Sequence, residues 1–210
     1  MTSKSIAHLQ HDKCCGCKVC GDACPKHAIS FLMDDEGFFY PNVNDNCIDC
    51  GQCTKVCPAL GNIDSRDYVV QKFFGCFDKN KERHDKGSSG GMFGLLASRL
   101  LSEGYEVCGA AFDNELQLKH CFVNSDEELE KLKKSKYLQS DCSGIYNHVK
   151  KKIIDGNRVM FVGTPCQCAA LKRYLGRMAS DIVVVDFVCH GVPSQDLFDR
   201  CVRYYEKKHD

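Results

Sequence analysis

Two copies of one cysteine spacing fill the first sixty residues and limit what this chain can fold into. Cys14, Cys17, Cys20 and Cys24 precede Pro25, and Cys47, Cys50, Cys53 and Cys57 precede Pro58. Both runs read C-x2-C-x2-C-x3-C-P, and each position of the second lies thirty-three residues after its counterpart. A fixed offset of this kind marks an internal duplication. Three thiolates at i, i+3 and i+6 on a tight loop grip three corners of a cubane iron–sulfur cluster, while the fourth cysteine of each run serves the other cluster. The spacing therefore assigns Cys14, Cys17, Cys20 and Cys57 to one 4Fe-4S cluster, and Cys47, Cys50, Cys53 and Cys24 to a second. Pro25 and Pro58 turn the chain where a fixed φ and a missing N–H cost nothing. Gly16, Gly21 and Gly51 let backbone amides approach the sulfurs. Cys15, beside Cys14, is expected to point into the small core.

Other uses of so many cysteines fit poorly. Zinc sites take four ligands, commonly as two pairs, rather than two sets of four each followed by proline. Disulfides suit secreted chains, and the opening residues contain no apolar signal stretch. Seventeen cysteines without such a signal point to metal chemistry in the reducing cytoplasm, and exposed low-potential clusters suit an anaerobe. Lys plus Arg equals Asp plus Glu at 28 each, so no charge excess suggests nucleic acid or an anionic membrane as partner. No apolar stretch approaches the roughly 18 residues that would span a bilayer.

Two domains are expected. Residues 1–64 read as an α+β two-cluster ferredoxin domain, with strands near 29–32 and 38–40 around a turn at Gly37. Gly61, Asn62, Ile63, Asp64, Ser65, Arg66 and Asp67 form a polar, turn-rich linker. Residues 65–210 alternate apolar strands with amphipathic helices, which argues for an α/β domain with a mixed sheet flanked by helices. Strands are expected over 73–77, 107–112, 158–162 and 182–188, and helices over 92–102, 126–134, 143–154, 166–175 and 194–207.

Three turns of this second domain sit where ligands collect. Gly87, Ser88, Ser89, Gly90 and Gly91 precede a helix, so their backbone amides can hold a phosphate. The expected strand 158–162 runs into Gly163, Thr164, Pro165, Cys166 and Gln167. Another ends at Cys189, His190, Gly191, Val192, Pro193 and Ser194. Ligands in open α/β sheets bind beyond the carboxyl ends of the strands. Each of these two strands delivers one cysteine there. His190 is a candidate proton donor, and Cys76, Cys108, Cys121, Cys142, Cys168 and Cys201 read as small buried hydrophobes.

The motifs SSGGMF, Ser135-Lys136-Tyr137, GTPCQ and CHGVPS, in this order, resemble those of the family of coenzyme F420 hydrogenase/dehydrogenase beta subunits. The likeness runs over residues 8–210. It implies a flavoprotein-type second domain that binds FAD, fed by iron–sulfur clusters and exchanging hydride with coenzyme F420 or another organic acceptor. It makes Ser88, Ser89, Gly90, Gly91, Ser135, Lys136, Tyr137, Thr164 and Gln167 candidate flavin contacts. Cys166 and Cys189 resemble two ligands of a third 4Fe-4S cluster, whose other ligands lie later in relatives. Because relatives continue beyond residue 210, the domain is expected to be incomplete at its C-terminus.

Three functions follow. The first is an iron–sulfur flavoprotein oxidoreductase subunit that works with a redox-partner protein. The second is a ferredoxin-type electron-transfer protein whose second domain docks that partner without catalysis. The third is a thiol enzyme using Cys166, its thiolate favoured by a helix N-terminus.

Overall fold

A computed structural model describes residues 4–60 and 72–209. The expected linker and the boundary at 64/65 lie outside the described residues.

In the N-terminal half each cysteine run wraps into one short helix, α1 (Val19–Asp22) and α2 (Gln52–Val56). Between them β1 (Ile29–Met33) and β2 (Phe39–Val43) pair antiparallel, from Ile29 opposite Val43 to Met33 opposite Phe39. The hairpin is closed by the Asp34 side chain, which accepts from the Glu36 and Phe38 amides at 3.0 and 2.9 Å. Gly37 takes the left-handed conformation this turn needs (φ +83).

The second half begins with α3 (Lys81–Lys86), followed by α4 (Met92–Ser102). A four-stranded sheet then forms from β3 (Tyr105–Phe112), β4 (Leu118–Val123), β5 (Arg158–Gly163) and β6 (Val183–Asp186). Its order is β4-β3-β5-β6, with β3, β5 and β6 parallel and β4 antiparallel on one edge. Helices α5 (Asp126–Leu129), α6 (Ile145–Ile154), α7 (Pro165–Leu175) and α8 (Gln195–His209) complete it. Period-two alternation sends neighbouring strand residues to opposite faces. Val107 and Met160 pack with Ala97 of α4 and Leu129 of α5. Cys108 and Phe161 pack with Tyr146 and Val149 of α6 and Leu171 of α7. The expected mixed α/β sheet is therefore present.

Several local expectations change. Residues 73–77 form no strand: Phe73, Phe74 and Phe77 are all exposed, so the segment lacks the buried alternate face that would seat it in the sheet. Cys76 and Cys201 are exposed rather than buried. Helix 126–134 splits into α5 and a 3-10 turn at Glu130–Leu132. Strand β4 and helix α3 add to the expected elements.

The two halves share one core. Cys17 and Val19 of the first run and Val56 of the second lie in the buried cluster that holds Tyr146, Phe161 and Leu171. Burying each of the two valines there contributes about 2 kcal/mol. Asp22 extends the joint by capping α6, accepting from Gly144 N–H at 2.8 Å and Asn147 N–H at 3.1 Å. A carboxylate at a helix N-terminus satisfies amides that have no partner within the helix.

Candidate functional site

Two pockets in the N-terminal half are lined by thiols, five in one and four in the other. Cys14, Cys17, Cys20 and Cys57, with Cys15 beside them, line one, and Cys24, Cys47, Cys50 and Cys53 line the other. Three thiols of each set come from one run and the fourth from the other, which is the grouping that crossed ligation requires. Backbone amides already point at sulfur, from Ile6 to Cys53 Sγ at 3.3 Å and from Ala28 to Cys24 Sγ at 3.2 Å. Among the described residues no three His, Cys, Asp or Glu side chains close on a single metal ion; each thiol set surrounds a space instead. Burial, then the neighbouring Cys14 and Cys57, push the Cys20 thiol up to about 12. Burial likewise raises Cys14 and Cys53. Four such thiolates crowd together stably only around a positively charged partner, which four soft sulfur donors would hold as a cubane.

The pockets differ in position. In the outer set Cys47 and Cys50 are exposed, whereas in the inner set Cys17, Cys20 and Cys57 are buried. Side chains of the α/β half close over the inner run. Tyr146 Oη donates to Cys17 O at 2.8 Å, and Gln139 Nε2 donates to Cys15 O at 3.2 Å. Lys18 Nζ lies 3.1 Å from Asp141 Oδ2.

Cys15 does not sit within the N-terminal core alone, because its thiol meets Cys166 of the other half. The bond with Cys166 favours the Cys15 thiolate, but its bond with Cys17 and burial outweigh this and push Cys15 up to about 12. The same bond with Cys15, together with burial, raises Cys166 despite Thr164 Oγ1 at 3.1 Å. This corrects the expectation of a low-pKa Cys166: the helix N-terminus is outweighed, and the thiol-enzyme reading loses its premise. Cys189 is exposed beyond β6. Because Gly163 of β5 pairs with Asp186 of β6, the Cys166 and Cys189 turns leave adjacent strand ends.

The remaining candidate residues divide into two groups. The Ser88–Gly91 loop and residues 135–137 meet, for Ser135 N–H donates to Ser88 Oγ at 3.1 Å. Ser89, Gly90 and Gly91 all have positive φ (+49, +79 and +76) just before α4, and the loop is tightened by the Gly91 N–H, which donates to Ser88 O at 3.0 Å. The loop is anchored by Asp78, whose N–H donates to Gly90 O at 2.8 Å and whose carboxylate is forked by Arg83 at 2.7 and 2.9 Å. Burial lowers the Lys136 ammonium to about 8, and its Nζ donates to Lys133 O at 2.7 Å. Tyr137 is 83% exposed. The second group is Thr164 and Gln167. Gln167 Oε1 accepts from Thr164 N–H at 3.0 Å and its Nε2 donates to Ser140 Oγ at 2.9 Å. With Gln167 buried, its amide is committed to shaping the turn into α7. His190 is exposed.

Sequence reasoning missed Lys18, Asp22, Asp141 and Tyr146. Only Lys18 carried a signal, since the second run has Gly51 at the equivalent place.

Comparison with known proteins agrees with this layout. A family described as "4Fe-4S dicluster domain" matches residues 13–60, and the family describing the C terminus of the coenzyme F420 hydrogenase/dehydrogenase beta subunit matches residues 156–210. The chain is 25% identical over 200 residues to the F subunit of F(420)H(2) dehydrogenase from Methanosarcina mazei, covering 88% of this chain and 55% of that protein. It is 32% identical over 79 residues to the protein named Ferredoxin 7Fe of Hydrogenibacillus schlegelii, covering 37% of this chain and 95% of that one. A chain in the F420-reducing NiFe hydrogenase complex from Methanosarcina barkeri shares the fold, with TM-score 0.50 at 20% identity over 60% of this chain and 46% of that one. The chain thus spans about half the length of these two longer relatives.

Proposed function

Because this chain belongs to the family of coenzyme F420 hydrogenase/dehydrogenase beta subunits and carries a 4Fe-4S dicluster domain, we propose that it relays electrons between a redox-partner protein and FAD in its α/β half, with coenzyme F420 or another organic molecule as final acceptor. The observation that carries this reading is the shared core: Cys17 packs in the same buried cluster as Tyr146 and Phe161, so the inner thiol set abuts the α/β half. The outer set, with Cys47 and Cys50 exposed, faces a partner.

Cys14, Cys17, Cys20 and Cys57 would hold the inner cluster, and Cys24, Cys47, Cys50 and Cys53 the outer one. The clusters supply one-electron steps, and FAD when bound supplies their conversion into hydride chemistry. Gly90 offers its amide to the flavin's phosphates, the Gly91 N–H being held by Ser88 O at 3.0 Å, while Ser88 Oγ holds residues 135–137 against that loop. Lys136, its ammonium lowered to about 8 by burial, still carries its positive charge at neutral pH and can stabilise the reduced ring. The exposed Phe73, Phe74, Tyr137 and Val188 favour a second reading, in which the α/β half only docks a partner.

Iron, sulfide and flavin per chain, measured after anaerobic purification, separate these readings. About eight irons with FAD supports the relay. Eight irons without flavin leaves an electron-transfer protein with a docking half. About twelve irons would place a third cluster at Cys166 and Cys189.

A further inference from the structure

The duplication is broken at one place that matters electrically. Lys18 lies between Cys17 and Cys20, and Gly51 lies between Cys50 and Cys53, thirty-three residues on. Both cap their helices in the left-handed conformation, Lys18 at φ 63, ψ 6 and Gly51 at φ 72, ψ 6. Glycine adopts that conformation freely, whereas a lysine does so at a cost of about 1 kcal/mol. The backbone therefore prefers glycine at both places, and the lysine needs a reason of its own.

Its surroundings supply one. The Lys18 side chain is only 10% exposed, and Lys18 lines the inner thiol pocket. Its Nζ lies 4.4 Å from the Phe39 ring centroid and 5.5 Å from that of Phe31, both lining the same pocket. The carboxylate it meets is Asp141, from the α/β half, whose side chain is 38% exposed and so better screened by water. Asp141 is itself fixed to β4, donating to Leu118 O at 2.8 Å and accepting from His120 N–H at 2.9 Å. Among the described residues that line the outer pocket there is no equivalent. That lining includes Lys26, which is exposed.

We propose that Lys18 is a positioning charge that sets the reduction potential of the inner cluster above that of the outer one, with Asp141 trimming its effect. A buried cation favours the more negative, reduced form of a neighbouring cluster, because net charge is one determinant of cluster potential. The transfer it favours would move one electron, lost by the cluster held at the outer thiol set and gained by the cluster held at the inner set, with no bond formed or broken. Electrons entering at Cys47 and Cys50 then run downhill toward the α/β half. The inference rests on the two-cluster relay proposed above.

The test is potentiometry followed by electron paramagnetic resonance on the whole chain, with iron and sulfide counted on the same samples. Lys18→Met should lower one of the two cluster potentials by about 59 mV, a tenfold change in its reduced-to-oxidised ratio. Asp141→Asn should raise that same potential, and Lys18→Arg should leave it near the wild-type value. Gly51→Lys, whose added Cβ would meet nothing closer than Lys4 Cβ at 3.5 Å, should raise the other potential. Opposite shifts from Lys18→Met and Asp141→Asn distinguish charge from mere packing, which would move both the same way. Should Lys18→Met fail to assemble, Lys18→Gln takes its place in the comparison with Asp141→Asn. Eight irons with unmoved potentials, or shifts of the same sign, overturn the role of Lys18. A wild-type chain without two clusters instead overturns the relay on which it rests.

Discussion

The Tyr146 hydroxyl donates a 2.8 Å hydrogen bond to the carbonyl of Cys17, and both residues are buried. One joins the α/β core through α6, and the other belongs to the inner thiol set. The bond ties the backbone of a metal-binding loop to the centre of the neighbouring half.

Tyr146→Phe keeps the ring and removes the donor, leaving the Cys17 carbonyl buried without that partner. An unsatisfied buried acceptor costs about 1–3 kcal/mol. The expected outcome is a stability in denaturant lowered by that amount while two clusters are retained. An unchanged stability would mean that water replaces the hydroxyl and that the halves are not joined there.

Asp22 offers an independent check of the same joint. Its carboxylate caps α6 from the other half, so Asp22→Ala should cost about 1 kcal/mol, the usual loss for a helix cap. Asp22→Asn keeps an acceptor and should cost less. Hydrogen exchange reports the site directly: the Gly144 and Asn147 amides, which donate to Asp22 at 2.8 and 3.1 Å, should exchange faster in Asp22→Ala. Protection that persists would show that the joint holds without the cap.

What the sequence disclosed, and what it hid, follows the range of the interactions. Strands β3, β5 and β6 are short apolar runs between turn residues, and α4 has an apolar face, so local pattern located them. Strand β4 hid because Lys119 and His120 interrupt its apolar run; yet His120 turns inward, paired with Cys142 Sγ at 3.2 Å and Val162 O at 3.0 Å. Helix α3 is charged throughout and offers no periodic face. The eight cluster cysteines could be named because thiolate spacing is itself local chemistry. The residues that orient those sites lie far along the chain: Tyr146 meets Cys17 across 129 residues and Asp22 meets Gly144 across 122. No local period encodes such pairs.

The unequal exposure of the two thiol sets predicts unequal loss of iron. Cys47 and Cys50 of the outer set are exposed, and Cys17, Cys20 and Cys57 of the inner set are buried. Exposure to a chelator under mild oxidation should remove iron in two phases, about half of the total in each. Alkylation mapped by mass spectrometry should mark Cys47 and Cys50 in the fast phase. Simultaneous labelling of both sets would contradict the inner and outer arrangement.

His120 predicts an acid-sensitive fold. Burial holds its imidazole at about 4, well below the ordinary 6.5, against the opposing effects of the Val162 carbonyl and Asp141. In the neutral ring Nε2–H donates to Val162 O and Nδ1 accepts from Cys142, so a second proton has no acceptor. The unfolded chain takes up a proton as pH falls below about 6.5, whereas the native ring refuses it until about 4. The stability tied to neutral His120 is thus fully present above pH 6.5 and drains away across that window, by about 3 kcal/mol at its lower end. Other groups titrate there too, so the useful quantity is a difference. His120→Asn should be less stable than wild type at pH 7, yet lose less on going to pH 5, when denaturation is followed on cluster-free samples of both. Equal losses in the two proteins would show that His120 is protonated in the native state and that its burial is not what the acid attacks.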